Sequence, residues 1–237
     1  MTITDELLGP LLRRDPAGPR ITHYDDAAGS RIELSGATLA NWAAKTANWL
    51  RDELDVQPGD AVAVLLPPHW QTAGALLGSW WCGATVTTSP ADAVAVALCG
   101  IDRIVDATGA DEVAALGLDA LGVGIPVLPP GVRDFASEIR VHGDTFTPGA
   151  PGPDTEVLVT AARARAAKLG LAAGDRLLCT TSWDAAVPGE VLLAVLSADA
   201  SLVQCTGADP AALPDRCKAE RVTATLGVEV RSIRRAG

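Results

Sequence analysis

The stretch LDVQPGDAVAVLLPPHWQTAGALLGSWWCGATVTTSPAD, residues 54–92, constrains the fold more than any other part of the chain. Gln57-Pro58-Gly59-Asp60 is a turn, in which proline presets one φ and glycine supplies a positive one. AVAVLL follows as an unbroken apolar run, and Pro67-Pro68 stops it. An unbroken run belongs to a strand covered on both faces, hence to a mostly parallel sheet between layers of helix. Residues 69–82, HWQTAGALLGSWWC, are apolar nearly all round, so this helix is expected to be buried. Gly83-Ala84 ends it, and TVTTSP reads as the next strand. Strand, helix and parallel strand make one crossover unit, right-handed because the strands twist that way.

The flanking segments extend this unit. Residues 3–14 place Ile3, Leu7, Leu8, Leu11 and Leu12 on one helical face, and Asp15-Pro16 and Gly18-Pro19 break the helix. In ITHYDDAAGSRIELS two short strands flank Asp26-Ala27-Ala28-Gly29, a hairpin signal. From Thr38 to Leu54, apolar positions including Leu39, Trp42, Ala43, Trp49 and Leu50 recur at helical spacing. Thr38 is the expected N-cap, and the two tryptophans are expected to anchor this helix to the core. After residue 90, ADAVAVALCG reads as a short helix and DRIVDAT as a strand. Residues 110–120 read as helical and ASEIRVH as a strand near an edge.

Pro148, Pro151 and Pro153 mark the main internal boundary. They divide the chain into a first α/β half (1–147), a Pro/Gly-rich linker (148–154) and a second α/β half (155–237). The second half repeats the order of the first at an offset of about 115 residues, the length of a small domain. TEVLVTAARARAAKLGLAAGDRLLCTTS gives helix, turn and strand, with Gly174-Asp175 where Gly59-Asp60 fell. GEVLLAVLSADASLVQCTGADP and ALPDRCKAERVTATLG continue the pattern. The expected fold class is therefore α/β, in two pseudo-repeated, mostly parallel sheet-and-helix halves.

Charge and composition exclude several roles. The formal charge is −10 over 237 residues, so the field repels phosphate backbones and nucleic acid is not an expected partner. No apolar run approaches the roughly 20 residues of a membrane span, and the N-terminus lacks the apolar core of a signal peptide. Five cysteines form no CxxC pair, and the three histidines are far apart, so no zinc spacing appears. Buried, reduced cysteines in a cytoplasmic protein are the expectation.

The ordered set of elements resembles the N-terminal region of the adenylate-forming (AMP-binding) acyl- and aryl-CoA synthetase superfamily. The carriers are the hairpin ITHYDDAAGSRIELS, the helix TLANWAAKTANWLRDEL and the block VQPGDAVAVLLPPHWQTAGALLGSWWCGATVTTSP. In the second half AARARAAKLGLAAGDRLLCTTSWD and DPAALPDRCKAERVTATLGV also match. The chain also resembles a group of short bacterial proteins of this same extent. The resemblance implies carboxylate activation by ATP, with a Ser/Thr/Gly-rich phosphate loop ending in Lys just before the helix at 155–169. That place here reads TFTPGAPGPDTE, without Lys or Arg. Three of its residues are prolines without an N–H, and its acids repel phosphate. The loop is thus expected to be a poor phosphate cradle; on the other view Gly149 and Gly152 are left as a degraded relic of it that binds weakly, and are its candidate cofactor-binding residues.

The family's Tyr-Gly-x-Thr-Glu motif, ribose-binding acid and C-terminal lid with its lysine have no counterpart in these residues. Where the family often carries an aromatic-His pair, the chain reads SWDAAVPGE, leaving Trp183 and Asp184 as the candidate pocket wall. His69, at the exit of a strand, reads as a capping or surface residue, and Ser182 has no Gly-x-Ser-x-Gly frame. The expected function is thus a non-catalytic binding or scaffold module with no cofactor and no metal. Self-association or another protein partner is expected to cover surfaces that full-length relatives bury. The alternative is residual acyl- or aryl-adenylate or CoA-ester binding, or ligase activity completed by a partner subunit, with ATP or AMP as cofactor.

Overall fold

The computed structural model describes residues 1–89, 93–183 and 188–237. Two short helices open the chain, α1 (Ile3–Leu7) and α2 (Gly9–Arg14). The expected single helix breaks at Leu8 because Gly9-Pro10 restarts it, with proline tolerated in a first turn. The hairpin β1 (Pro19–Asp25) and β2 (Ser30–Ser35) follows. It leads directly into α3 (Gly36–Asp52). The cap of α3 is Ser35, whose hydroxyl accepts the Thr38 N–H at 3.2 Å, so the helix begins before the expected Thr38.

Over residues 54–89 the strand-helix-strand unit folds as expected: β3 (Ala61–Leu65), α4 (Trp70–Trp81) and β4 (Thr85–Thr87), with residues 90–92 outside the described residues. α4 is buried along nearly its whole length and lies against α3. Gly74 and Gly78 permit that approach, since a Cβ at Gly78 would stand 2.5 Å from the Thr46 Cβ. Trp49 is fully buried, and Trp42 meets Trp70 edge-on at 4.8 Å.

The next segments correct the sequence reading. Val96–Gly100 is a fully buried strand, β5, where a helix was expected, and Ile101–Ala107 is a 3-10 helix where a strand was expected. A short apolar run such as VAVALCG has no periodicity to separate helix from strand, and neighbouring β3 decides by pairing Val62 with Val96. Residues 110–120 supply a further parallel strand, β6 (Glu112–Leu116), in place of a helix. The edge strand is β7 (Val132–Asp134), and the expected ASEIRVH strand is instead the helix α5 (Phe135–Ile139). The second half supplies α6 (Thr155–Lys168), β8 (Arg176–Cys179), α7 (Glu190–Ser197), β9 (Ser201–Thr206), α8 (Leu213–Ala219), β10 (Ala224–Leu226) and β11 (Arg234–Arg235).

These strands form two sheets. The first is parallel, in the order β4-β3-β5-β6-β7. The second runs β11-β10-β8-β9-β1-β2, parallel except for the hairpin pair. The repeat survives in the order β4-β3-β5 against β9-β8-β10. It survives in the turns as well. The Asp60 carboxylate accepts the Gln57 N–H at 2.8 Å, and the Asp175 carboxylate accepts the Ala172 N–H at 2.8 Å. Gly59 has φ +96° and Gly174 φ +83°, values open to glycine at no steric cost. The halves are not separate: β1, from the first, pairs with β9, from the second, and one apolar core contains residues of both.

Candidate functional site

The two halves meet at the carboxyl ends of their strands, over a crevice of about 530 Å³. The exit of β3 supplies Val64 to Pro67, and α4 supplies Thr72 and Leu76 one turn apart. The second half contributes Trp183, Pro188 and Gly189. Open α/β sheets bind ligands at such strand ends, because the loops there carry no ladder duties. Trp183 is buried and its indole N–H donates to Gln204 Oε1 at 3.2 Å. Gln204 in turn donates to the Thr181 carbonyl at 3.1 Å, so the ring is held in one orientation as wall and as part of the core. Asp184 lies outside the described residues. Gly189 has φ +64°, and a Cβ there would stand 2.8 Å from Leu76 Cδ1, so glycine keeps this corner open.

The polar groups at the crevice are few. Asp102 and Arg103 come from the 3-10 helix, with Arg103 Nε 2.9 Å from the Asp106 carboxylate. Leu118 and Thr88 complete the wall. Sequence reasoning missed Arg103 and Leu118, since their segments read as a strand and a helix interior. Exposed, charged residues directly after the apolar β5 run were the available signal.

Gly149 and Gly152 lie at the other end of the first sheet. A Cβ at Gly152 would run into the Gly83 carbonyl oxygen, in the turn that enters β4. The Thr85 hydroxyl donates to Asp154 Oδ2 at 3.0 Å, and the Gly59 N–H donates to the Gly83 carbonyl at 2.9 Å. Upstream, α3 ties the same segment down. Lys45 Nζ donates to the His142 carbonyl at 2.7 Å, and Asn48 Nδ2 donates to the Thr145 carbonyl at 2.9 Å. Arg51 donates to the Thr147 carbonyl at 3.1 Å and lies over the Phe146 ring. The structure therefore does not bring Gly149 and Gly152 together with Trp183.

His69 is the N-cap of α4, its Nδ1 accepting the Gln71 N–H at 3.1 Å, but it is buried, not at the surface. Its ring stands edge-on to buried His23 of β1, centroids 4.4 Å apart. Burial lowers the pKa of both rings, His23 to about 4 despite Asp25, and His69 to about 3 with His23 adding to the effect. His23 Nε2 meets the Thr206 hydroxyl at 3.0 Å, and that hydroxyl donates to the Pro68 carbonyl at 3.2 Å. Spacing in sequence hides this pairing. Ser182 is exposed, and the five cysteines are buried and free. Among the described residues no group of three or more His, Cys, Asp or Glu could hold a metal ion. No described helix is long and apolar enough to cross a membrane.

No family model matches the chain. Its fold matches Brucella canis acyl-CoA synthetase with a TM-score of 0.78 at 16% identity, over 96% of this chain and 47% of that one. Anthranilate CoA ligase AuaEII, solved with anthranoyl-AMP, gives 0.74 at 14% identity over 96% and 49%. Acetoacetyl-CoA synthetase from Streptomyces lividans gives 0.75 at 17% over 95% and 42%. The chain thus spans less than half the length of these structures. By sequence it is 51% identical over 243 residues to a TIGR03089 family protein of Mycobacterium tuberculosis (strain ATCC 25618 / H37Rv), covering 95% of this chain and 98% of that protein. A chain so alike over nearly its whole length, with the fold of the N-terminal domain of acyl-CoA synthetases, belongs to the TIGR03089 family.

Proposed function

We propose that the chain is a non-catalytic binding module. It takes a small, mostly apolar acyl or aryl compound in the crevice beside Trp183 and performs no adenylation of its own. The observation that carries this reading is the separation of the two parts that adenylation must join. The crevice lies at the carboxyl ends of the strands, whereas the Gly149–Gly152 segment is strapped to Gly83 at their amino ends. The surroundings of that segment do not fit a triphosphate. The hollow beside Gly152 is lined by Glu6, Glu156 and Arg163, and Arg163 is already paired with Glu6 at 3.4 Å. Among the described lining residues the side-chain cation Arg163 is thus already matched by a carboxylate, and Glu156 adds a second acid. The crevice wall, among the described residues, holds no nucleophile beside a base. Its largely apolar wall, with Asp102 and Arg103 on one side, suits a compound of the size of the anthranoyl group that AuaEII holds as its adenylate.

The module works with no cofactor, in the cytoplasm, and meets a second copy or another protein. The buried, reduced cysteines support that compartment. Pyrophosphate exchange with a panel of aryl and short acyl acids tests the reading, beside calorimetric titration of the same acids without nucleotide. Saturable binding of at least one acid, with no ATP-dependent exchange, is expected. Robust exchange by the purified chain would replace it with the second reading, a ligase or a holder of adenylates and CoA esters. That reading draws on the fold shared with complete synthetases, and tight Mg-ATP binding would be its first sign.

A further inference from the structure

Among the described residues the two sheets present four edges, and three are blunted by length. β4 and β7 have three residues each and β11 has two. β2 has six, and it pairs only with β1. Along its outer side every second N–H and C=O therefore lacks a ladder partner, and an edge of that kind is a template for another strand. Of the usual guards it carries only the charges of Arg31 and Glu33. SRIELS contains no lysine, proline or glycine, and α3 leaves it through the small exposed residues Ala37 and Thr38.

What the edge carries is a pattern complementary to itself. Arg31 and Glu33 stand on one face, and Ile32 and Leu34 on the other, where both pack on the core. In an antiparallel pair about a two-fold axis at Ile32, each Arg31 falls directly opposite the second copy's Glu33. Opposite charges facing each other across a ladder attract. Shifting the register by two residues sets Arg31 against Arg31 or Glu33 against Glu33, and shifting by one turns the apolar face outward. One register is thus selected. The charged side chains are held ready: Arg31 Nε is 2.7 Å from Glu220, and Arg176 is 3.1 Å from Glu33. Both remain open to solvent, with side-chain exposures of 43% for Arg31 and 36% for Glu33.

We propose that β2 is a homodimerisation edge. Two copies pair β2 against β2, antiparallel about Ile32, and join their six-stranded sheets into one. An isologous interface of this kind closes on itself and propagates no further.

Sedimentation velocity between about 1 and 100 µM, a range suited to a small interface, tests the proposal. A reversible dimer is expected. Arg31→Glu weakens it at least about tenfold by setting like charges opposite, and adding Glu33→Arg restores it. Because Arg31 and Glu33 also pair within the chain, circular dichroism and melting confirm the fold of each variant. A second test leaves the charges alone. Ile32→Cys places two thiols on the axis, at a Cα separation of about 4.5–5.5 Å, within disulfide reach. Mild oxidation then gives a covalent dimer, whereas Ser30→Cys, opposite the second copy's Leu34, does not. The native cysteines are all buried and add no background. A strict monomer at the highest concentration, a dimer indifferent to Arg31→Glu, or cross-linking at position 30 in place of 32 would each overturn the proposal.

Discussion

The two sheets use one plan and close it differently. Each sets its first strand in the middle, as in β4-β3-β5 and β9-β8-β10. The first sheet extends with β6 and β7, which follow directly in sequence. The second extends with β1 and β2, from the opposite end of the chain. One sheet can thus form from a continuous segment, and the other forms only after a long loop closes. Closing that loop costs entropy before its contacts return any stability. The lesson is that a repeat in sequence does not make two independent units.

The sharpest way to break this comparison is to damage each sheet separately. Leu98 of β5 and Leu202 of β9 are both fully buried in the same core. Leu98→Ala and Leu202→Ala should each destabilise by about 2–5 kcal/mol. Urea unfolding, followed by tryptophan fluorescence and by circular dichroism, should show one coincident transition for both variants. Two separated transitions would mean that the sheets fold as units after all.

Next in size is the junction itself, where His23 from the second sheet meets His69 at the head of α4. Both rings have folded-state pKa values below the ordinary 6.5, so folding favours their neutral forms. The stability this represents is full above pH 6.5 and is lost as pH falls through about 4 and toward 3. For His23 the loss amounts to about 3 kcal/mol by its folded pKa. The carboxylate of Glu220 acts lower. Burial alone would raise it, but hydrogen bonds from Arg31, Tyr24 and Arg176 outweigh that and hold it down to about 2. Its contribution fades between the ordinary 4.5 and about 2, so the decline above pH 4.5 belongs to the histidines. Urea midpoints from pH 7 to 4.5 should fall in the wild type and fall about half as steeply in His23→Gln, where buried His69 still resists protonation. Midpoints constant down to pH 4.5 would count against the buried pair.

The smallest effect concerns the strap. Gly152→Ala presses a methyl group on the Gly83 carbonyl and should cost about 1–3 kcal/mol. Hydrogen exchange should quicken at residues 145–154 and leave β8 and β9 unchanged. Unchanged protection throughout would show that the segment is not held by that contact.

Elements with a clear period were legible in the residues alone. The α3 spacing, the β3 run and the hairpin at Asp26–Gly29 each state their own local preference, and the structure departs only at their caps. Short apolar runs were not legible. VAVALCG and EVAAL fit helix or strand equally, and only the neighbour that pairs with them decides. The same holds for the crevice. Trp183 could be singled out by position, but Arg103 and Leu118 join it through a 3-10 helix and a loop whose paths depend on β5 and β6 being strands.

By itself, then, the sequence determined the α/β class, the repeat with its two Gly-Asp turns, and the want of cations between residues 144 and 156. These follow from side-chain period, backbone freedom and charge, which act over a few residues. Tertiary structure decided which strands became neighbours, how His23 met His69, and which end of the sheet received the proline segment. Those outcomes depend on pairing and packing between residues far apart in the chain, where no local preference reaches.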